Sequence, residues 1–305
     1  MLDVHQLNVF VVAAEALNFT QAAQQLHMTQ PSVSQHIQGL ERHFDTQLFF
    51  RNGRNLELTD AGMALLPLAR EAVMLSMRID ETMASLKGGI FGHLIVGCST
   101  TPGKYILPHL LTSFHHRHPQ VRVTCQVTPQ TDALQNLVDG DVHFALFSMD
   151  YANYPDIEAV SFLCDPIILI APSDHPWAQR EEIEPEELLD ADFIMRESSS
   201  GTFHAVTEAL KQHKVSVSDL RTLITLGNSE AIALSVQEGL GVGFISQMVV
   251  DRICPGKVAR IRVRDLNICR NIYIGHNSRR PESKSQAAFW TFLTSEMTNP
   301  LTVSS

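Results

Sequence analysis

The chain has 305 residues, of which 44% are hydrophobic and 18% are charged, and its formal net charge is −10. This length allows about two or three domains with real cores, and the composition is ordinary for a soluble protein. An acidic chain is not a general binder of polyanions, so any nucleic-acid binding would have to come from a local surface. No apolar run approaches the roughly 18 residues of a membrane-spanning helix.

The N-terminus and the cysteines indicate the compartment. The first segment, MLDVHQLNVFVVAAEALNF, carries two acids and follows a helical period, unlike a secretory signal peptide. The five cysteines are odd in number, widely spaced and without a C-x-x-C pattern. We therefore expect buried free thiols in a reducing cytoplasm. The cysteines are Cys98, Cys125, Cys164, Cys254 and Cys269.

Residues 1–58 are predicted to form three short helices and a hairpin. The second helix is expected to begin at Thr20, a good N-cap, and to turn Ala22, Ala23 and Leu26 inward. Small side chains such as these alanines allow two helices to cross closely. The first helix is expected to bury one face, formed by Leu7, Phe10, Val11, Ala14 and Leu17.

The third helix, in the stretch TQPSVSQHIQGLERHF, combines an apolar stripe with faces of short hydrogen-bonding groups. Pro31 is tolerated in its first turn. Two short helices joined by a turn of about three residues form a helix-turn-helix. The apolar stripe is formed by Val33, Ile37, Leu40 and Phe44.

The stretch QLFFRNGRNLELT follows, with strand-forming residues on both sides of Asn52-Gly53. Asn-Gly is the strongest short-range signal for a hairpin. A hairpin directly after a helix-turn-helix makes the domain winged.

A long helical pattern extends from Thr59 to Lys87. Its apolar repeat keeps one seam facing a partner over roughly 40 Å, which predicts a dimerisation helix; packing against the rest of the chain is the alternative. Pro67 is expected to bend or interrupt the helix near Met63, and Gly88-Gly89 to end it. The seam comprises Leu65, Leu68, Ala72, Leu75, Ile79, Met83 and Leu86.

After Gly92 short apolar runs alternate with helical patterns, which indicates a sheet covered on both faces. The expected strands are HLIVGCS, VRVTCQV, HFALFS, IILIAP, ADFIM, LRTLITL, GVGFIS and RNIYIGH. The expected helices are KYILPHLLTSFHHRH, TDALQNLVDG, TFHAVTEALKQH, NSEAIALSVQEGL and SKSQAAFWTFLTSEM. About 210 residues suffice for two small α/β subdomains.

The segments FTQAAQQLHMTQPSVSQHIQGLE and LFFRNGRNLELTDAG give the chain its resemblance to the LysR-type transcriptional regulators. The resemblance implies a fold of mixed class, α/β plus α: an N-terminal winged helix-turn-helix, a long linker helix and a C-terminal effector domain. The effector domain would have two α/β subdomains, as in periplasmic binding proteins. The implied boundaries are 1–58, 59–89 and 90–305, with subdomain I at about 90–161 and 266–305 and subdomain II at about 162–265.

In that family the third helix enters the major groove and the hairpin, or wing, reaches the DNA backbone or the minor groove. A Gln side chain can form hydrogen bonds to N6 and N7 of adenine at the same time, and a Ser hydroxyl can donate to a base or accept from one. The N–H groups at the start of a helix favour phosphate. Arg on a hairpin tip can follow a narrow groove. The resemblance implies DNA contacts by Thr20, Gln30, Pro31, Ser32, Ser34, Gln35, Arg51 and Arg54.

The DNA-binding segment lacks an overall basic footprint. Residues 1–58 contain three Arg and no Lys against five acids, which gives a charge of −2 with His uncounted. The family often has Arg where this chain has Gln35. We therefore expect few phosphate contacts per half-site, a shallow salt dependence, and reliance on the avidity of a dimer or tetramer.

The resemblance places the effector between the two subdomains, at strand ends and helix starts. The segments CSTTP and SSSGT each combine hydroxyl groups with the backbone N–H groups of a helix start, and such a combination can bind a small anion. N-capping alone is the alternative for each Ser or Thr. The expected effector contacts are Ser99, Thr100, Thr101, Thr128 and Thr202, with Phe147 and Ser148 at the crossover.

STTPGKYILP and SSSGT are similar to the subgroup that governs carbon-dioxide fixation and sulfur assimilation. An Arg often follows Gly-Thr in that subgroup and suits phosphate or sulfate, whereas this chain has Phe203 and His204. The sequence therefore leaves the effector class open between a phosphorylated compound and a carboxylate or partly apolar acid.

Other chemistries find no support in the sequence. HHRH at 115–118 has no carboxylate or Cys at ligand spacing, so we expect no metal, and no cofactor motif is present. No acid–base or nucleophile constellation indicates an enzyme. The expected function is that of a cytoplasmic regulator that binds a partly palindromic operator as a homodimer or homotetramer and recruits RNA polymerase. A receptor-like protein whose primary role is to bind a solute is the alternative.

Overall fold

The computed structural model describes residues 2–52, 55–86 and 89–297, in two compact units, residues 1–92 and 93–305. The first unit contains α1 (Val4–Ala16), α2 (Phe19–Gln25), α3 (Gln30–Phe44), β1 (Phe49–Asn52), β2 (Asn55–Leu58) and α4 (Asp60–Ser85). In the described part of the chain, no helix combines the length and the hydrophobicity that a bilayer crossing requires.

Side-chain caps set where the short helices begin. The prediction that Thr20 caps α2 is wrong, because Asn18 Oδ1 accepts hydrogen bonds from the N–H groups of Thr20 and Gln21 at 2.9 and 3.1 Å. Thr29 caps α3, and its Oγ1 accepts from the Ser32 N–H at 3.4 Å. Side-chain caps therefore set the first residue of α2 and of α3, and the Thr29 cap stands at the end of the turn between them.

The three helices bury most of the predicted faces, with two exceptions. Ala22, Ala23, Val33, Ile37 and Leu40 are buried in one cluster with the inner face of α1. The predictions that Leu17 and Phe44 are buried are wrong, since 47% and 38% of their surfaces are exposed. Leu17 has a left-handed φ of 43°, and Phe44 directly precedes Asp45 at 50°, so both lie where the helix ends.

β1 and β2 form the predicted antiparallel hairpin, in a register that pairs Phe49 with Leu58 and Asn52 with Asn55. Asn52 is thus the last paired residue of its strand. The predicted turn residue Gly53 and the predicted DNA contact Arg54 lie outside the described residues, and so does the side chain of Arg51.

α4 runs unbroken for 26 residues through Pro67, so Pro67 does not interrupt the helix, and the alternative of a bend stays a prediction. A proline inside a helix removes one backbone hydrogen bond, and packing of the helix onto the core offsets that loss. Leu65 and Ala72 pack on the core of the first unit. Leu68, Leu75, Ile79, Met83 and Leu86 are exposed. Gly88, expected to help end the helix, lies outside the described residues.

The second unit alternates strands and helices as predicted. Its first half contains β3 (Gly92–Cys98), α5 (Thr100–Tyr105), α6 (Leu107–Arg117), β4 (Val121–Val127), α7 (Gln130–Asp139), β5 (Phe144–Phe147) and β6 (Ile157–Pro172). Its second half contains β7 (Asp192–Arg196), α8 (Gly201–Gln212), β8 (Arg221–Leu226), α9 (Ser229–Gln237), β9 (Gly243–Ser246), α10 (Gln247–Ile253), β10 (Val258–Ile261), β11 (Ile268–Asn277) and α11 (Lys284–Met297).

Two long strands connect the subdomains. β11 pairs with β6 along its length and also with β5, and β5 pairs with β3 in parallel. The distal end of β6 pairs instead with β9 and β10, while β7 pairs with β8. The sequence predicted only residues 167–172 of this 16-residue strand, because the polar residues of its first half hide the pattern. It also missed β10 and α10.

The cysteines differ from the expectation. The prediction of five free thiols is wrong for Cys164 and Cys269, which form a disulfide between β6 and β11 with Cα atoms 5.7 Å apart. The residues are 105 positions apart, and only the antiparallel register brings them together. Cys98, Cys125 and Cys254 are free, but the expectation of a buried thiol is wrong for Cys125, which is exposed.

Candidate functional sites

The exposed face of α3 presents hydrogen-bonding side chains to solvent. Gln30, Pro31 and Gln35 are exposed, whereas Ser32 and Ser34 are half-buried. The buried stripe of the same helix packs on α1, so the exposed face keeps a fixed orientation in its domain. Thr20 is exposed at the start of α2. These residues form a polar, nearly uncharged surface suited to the reading of base edges.

Three predicted effector residues follow parallel or neighbouring strands of the first subdomain. Ser99 comes after β3, Thr128 after β4 and Ser148 after β5. The Thr128 N–H donates to the Cys98 carbonyl at 2.9 Å, which holds the two strand ends together. Thr128 Oγ1 is buried and has no hydrogen-bond partner among the described residues. The geometry brings these hydroxyl groups to one edge of the sheet.

Capping does not account for the hydroxyl of Ser99. Ser99 stands at the N-cap position of α5, but its side chain makes no capping hydrogen bond. Thr101, two residues later, is buried, and Thr100 between them is half-buried.

Phe147 and Ser148 point to different surroundings. The ring of Phe147 is buried and packs against Tyr151 and Tyr273, with centroids 5.6 and 5.9 Å away. The Ser148 hydroxyl donates to Oε1 of Gln130, the buried first residue of α7. Ser148 therefore belongs to the polar edge, while Phe147 supports that edge from the core.

The second subdomain places its own polar edge at the start of α8. Ser200 Oγ accepts from the Phe203 N–H at 3.0 Å and caps the helix, so capping explains this hydroxyl. Thr202 is buried, and its Oγ1 accepts from Arg270 Nη1 at 3.2 Å. Thr202 thus faces the strand β11 rather than its own helix.

The two edges meet at Gly201. A Cβ on this residue would lie closer than 3.0 Å to both Ser148 Oγ and Gln130 Oε1, and 3.3 Å from Arg270 Cδ. Only a residue without a side chain fits where α8 approaches the first subdomain so closely.

Sequence analysis missed two arginines at this site. Arg196, the last residue of β7, donates to Ser229 Oγ at 2.8 Å and to both oxygens of Glu197 at 2.7 and 2.8 Å. Arg270 on β11 forms an ion pair with Asp165 on β6. In the sequence, the position of these arginines could have identified them: Arg196 stands at the end of one apolar strand and Arg270 inside another.

A polar contact outside these edges also joins the subdomains. Glu230, in the first turn of α9, accepts from Lys104 Nζ at 2.8 Å and from Tyr105 Oη at 2.7 Å. The hydrogen bonds from Lys104 and Tyr105 hold the pKa of Glu230 below its ordinary value. Burial and the neighbouring Glu230 raise the pKa of Tyr105.

A cavity of about 490 Å³ lies elsewhere in the second subdomain, between β6 and the β10–β11 connection. Its lining includes Phe244, Leu266 and Arg262 and none of the predicted effector residues. The polar edges around Gly201 therefore remain the candidate effector site, on the chemistry of their side chains.

Comparison with known families identifies both units. Residues 4–63 match the family described as "Bacterial regulatory helix-turn-helix protein, lysR family". Residues 87–298 match the family described as "LysR substrate binding domain". A protein of Synechocystis described as "Probable RuBisCO transcriptional regulator" is 31% identical over 93% of this chain and 83% of that protein.

Solved structures share the fold. Full-length CbnR in complex with its target DNA superposes with a TM-score of 0.69 at 22% identity, covering 96% of this chain and 99% of that one. The regulatory domain of Synechocystis CcmR in complex with 2-PG is 27% identical with a TM-score of 0.61. That comparison covers 68% of this chain and 98% of CcmR's regulatory domain.

Proposed function

Because the chain belongs to the LysR family of transcriptional regulators, with DNA-binding and effector-binding domains, we propose that α3 reads a partly palindromic operator and that a small anion controls the protein. We assign DNA contact to Thr20, Gln30, Pro31, Ser32, Ser34 and Gln35 and to the wing residues Arg51 and Arg54. The proposed domain boundaries are 1–58, 59–89 and 90–305. The regulator would act in the cytoplasm and recruit RNA polymerase.

The linker helix supports assembly. Its exposed apolar residues Leu68, Leu75, Ile79 and Met83 recur at helical spacing on a side that the first unit leaves uncovered. Burial of such a seam between two copies stabilises association by roughly 25 cal/mol per Å² of apolar surface. A homodimer, paired into a homotetramer, would place several weakly charged recognition helices on one operator and supply the avidity that each half-site lacks.

The observation that carries the effector proposal is the convergence of hydroxyls and guanidinium groups where α8 meets the first subdomain. Ser99, Thr100, Thr101, Thr128 and Ser148 line the first edge, and Thr202 lies on the other. Hydroxyls donate to an anion in any orientation, and buried guanidinium groups supply charge. The complex of CcmR with 2-PG, a small anion that carries both phosphate and carboxylate groups, supports an anionic effector here.

The test is recovery of operators from the genome of the source organism. Purified full-length protein is incubated with sheared genomic fragments at two salt concentrations, and the bound fragments are sequenced. Recovery of a few sites with dyad symmetry is expected, with a modest loss at the higher salt because each half-site offers few phosphate contacts. Uniform recovery at both salt concentrations would overturn operator recognition and leave solute binding as the primary role.

A further inference from the structure

Arg270 and Asp165 form a buried ion pair where the two subdomains join. They are directly opposite each other in the antiparallel register of β11 and β6. Only 5% of Arg270 and 0% of Asp165 is exposed. Asp165 Oδ1 also accepts from Ser246 Oγ, at the end of β9, at 2.7 Å. The pair therefore connects both long strands with the strand ends of the second subdomain.

The donors of Arg270 are not all used. Its Nη2 donates to Asp165 Oδ2 and its Nη1 donates to Thr202 Oγ1 at 3.2 Å. Its Nε–H is buried and has no hydrogen-bond partner in the described part of the chain. A buried donor without a partner costs free energy, so such a group in a native protein calls for an explanation. A bound acceptor would supply one.

The unused donor lies beside the candidate effector site. Arg270 Cδ is 3.3 Å from the position of a Cβ on Gly201, the residue that also adjoins Ser148 and Gln130. Burial lowers the pKa of Arg270, and the charge of nearby Arg196 lowers it further, whereas Asp165 raises it, so a second guanidinium lies close enough to act on Arg270. Glu197 balances Arg196, but its side chain is 35% exposed and solvent weakens that balance.

We propose that Arg270 is the charged contact of the effector and that the group it binds is a carboxylate. This inference rests on the proposed effector site and deepens it. One free N–H, next to a Thr hydroxyl, suits one singly charged planar acceptor. A doubly charged phosphate or sulfate would need more unpaired cationic donors, and Asp165 and Glu197 already occupy most of those present.

The pairing with Asp165 makes the proposal testable by anion rescue. Asp165→Asn leaves the Arg270 guanidinium buried without its counter-charge. If the space beside Arg270 admits a carboxylate, formate or acetate should stabilise this variant. Asp192→Asn is the matched control, because Asp192 also pairs with an arginine, Arg221, but the side chains of Asp192 and Arg221 are 40% and 61% exposed.

The experiment measures the thermal unfolding midpoint of full-length protein in formate, acetate, sulfate or chloride at constant ionic strength. We expect acetate to raise the midpoint of the wild type more than sulfate does, and that of Asp165→Asn by several degrees more than that of Asp192→Asn. Arg270→Gln should abolish the acetate effect and Arg270→Lys should weaken it. If Asp165→Asn does not fold, the wild type and the Arg270→Lys variant still decide the question.

Three outcomes would overturn the inference. They are an acetate effect that survives Arg270→Gln, a wild type that responds more strongly to sulfate, and a wild type that responds to neither carboxylate. Thr100→Val separates this inference from the effector site on which it rests. If Thr100→Val abolishes the response and Arg270→Gln leaves it intact, the site stands and Arg270 is not its charged contact. Operator recovery does not involve Arg270, so its failure would be a separate result.

Discussion

Tyr105 donates a hydrogen bond from its hydroxyl to Glu230 Oε1 at 2.7 Å, across 125 residues of sequence. The two residues belong to different subdomains, since Tyr105 ends α5 and Glu230 lies in the first turn of α9. Lys104 adds a second hydrogen bond to the same carboxylate. The three side chains therefore hold the subdomains together beside the proposed effector site.

We expect Tyr105→Phe to lower the free energy of unfolding by about 1 kcal/mol, the usual net value of one hydrogen bond. Glu230→Gln should weaken the contact with Lys104 as well. Urea unfolding followed by circular dichroism measures both changes. Tyr154→Phe is a suitable control because Tyr154 lies in the first subdomain, away from α9. An equal loss in the control would refute the assigned contact.

The same contact has a defined pH dependence. The pKa of Glu230 is lowered in the folded protein, so its contribution is present above the ordinary carboxylate range and is lost as the pH falls through the folded pKa. The pKa of Tyr105 is raised, so its contribution is lost only at high alkaline pH. The stability difference between wild type and Glu230→Gln should therefore be constant near neutrality and should shrink in acid. A difference that grows in acid would contradict this assignment.

Leu75→Glu should break the linker dimer, because it places a charge in an exposed apolar seam. Met77→Glu is the matched control: Leu75 and Met77 are 49% and 46% exposed, and two residues along a helix turn the side chain to nearly the opposite face. Static light scattering of the full chain should report half the mass for Leu75→Glu and an unchanged mass for Met77→Glu. An unchanged mass for both variants would place the dimer contact elsewhere.

Gln35→Ala should weaken binding to a recovered operator by about 1–3 kcal/mol and leave non-specific binding unchanged. The physical reason is the loss of a paired hydrogen bond to a base edge, while phosphate contacts remain. Fluorescence anisotropy with operator and scrambled duplexes measures both affinities. Gln24→Ala, an exposed glutamine on α2, is the control. Equal losses on the two duplexes would show that Gln35 does not read bases.

Gly201→Ala should destabilise the effector-binding unit by about 1–3 kcal/mol, because the added methyl group would collide with Ser148 and Gln130. Gly227→Ala should be nearly neutral, since nothing lies within 4 Å of its added Cβ. Differential scanning calorimetry compares the two variants. If Gly201→Ala leaves the stability unchanged, the start of α8 can move away from Ser148 and Gln130 at little cost in free energy.

The double variant Thr100→Val, Thr202→Val should abolish the response to small carboxylates while operator binding survives, since the substitutions lie outside the DNA-binding segment. Thr112→Val is the control, because the Thr112 hydroxyl donates to the Pro108 carbonyl of its own helix. Operator affinity is measured with and without 2-phosphoglycolate and acetate. A response retained by the double variant would place the effector site elsewhere.

The helix-turn-helix could be predicted in detail because its determinants are local. The steps from Val33 to Ile37 and Leu40 specify a buried helical face within one turn or two. Errors occurred at element ends, where Asn18 rather than Thr20 caps α2 and where Leu17 and Phe44 face solvent. End positions depend on competition between neighbouring caps, which composition does not decide.

The candidate effector site could be predicted only in part. Strand-end hydroxyls such as Ser99 and Ser148 are recognisable because parallel strands end at a common edge. Gln130, by contrast, is an ordinary polar residue in the sequence, and only the fold brings its side chain to Ser148. The first half of β6 was missed because its polar positions interrupt the apolar run that signals a buried strand.

The sequence by itself determined the order of the elements, the polar reading face of α3 and the apolar seam of α4, since each depends on periodicity along a single helix. Only the tertiary structure decided that Arg270 meets Asp165, that Cys164 meets Cys269, and that Gly201 lies against Ser148 and Gln130. The physical reason is register: residues more than a hundred positions apart become neighbours through the pairing of two long strands, and no local pattern encodes that pairing.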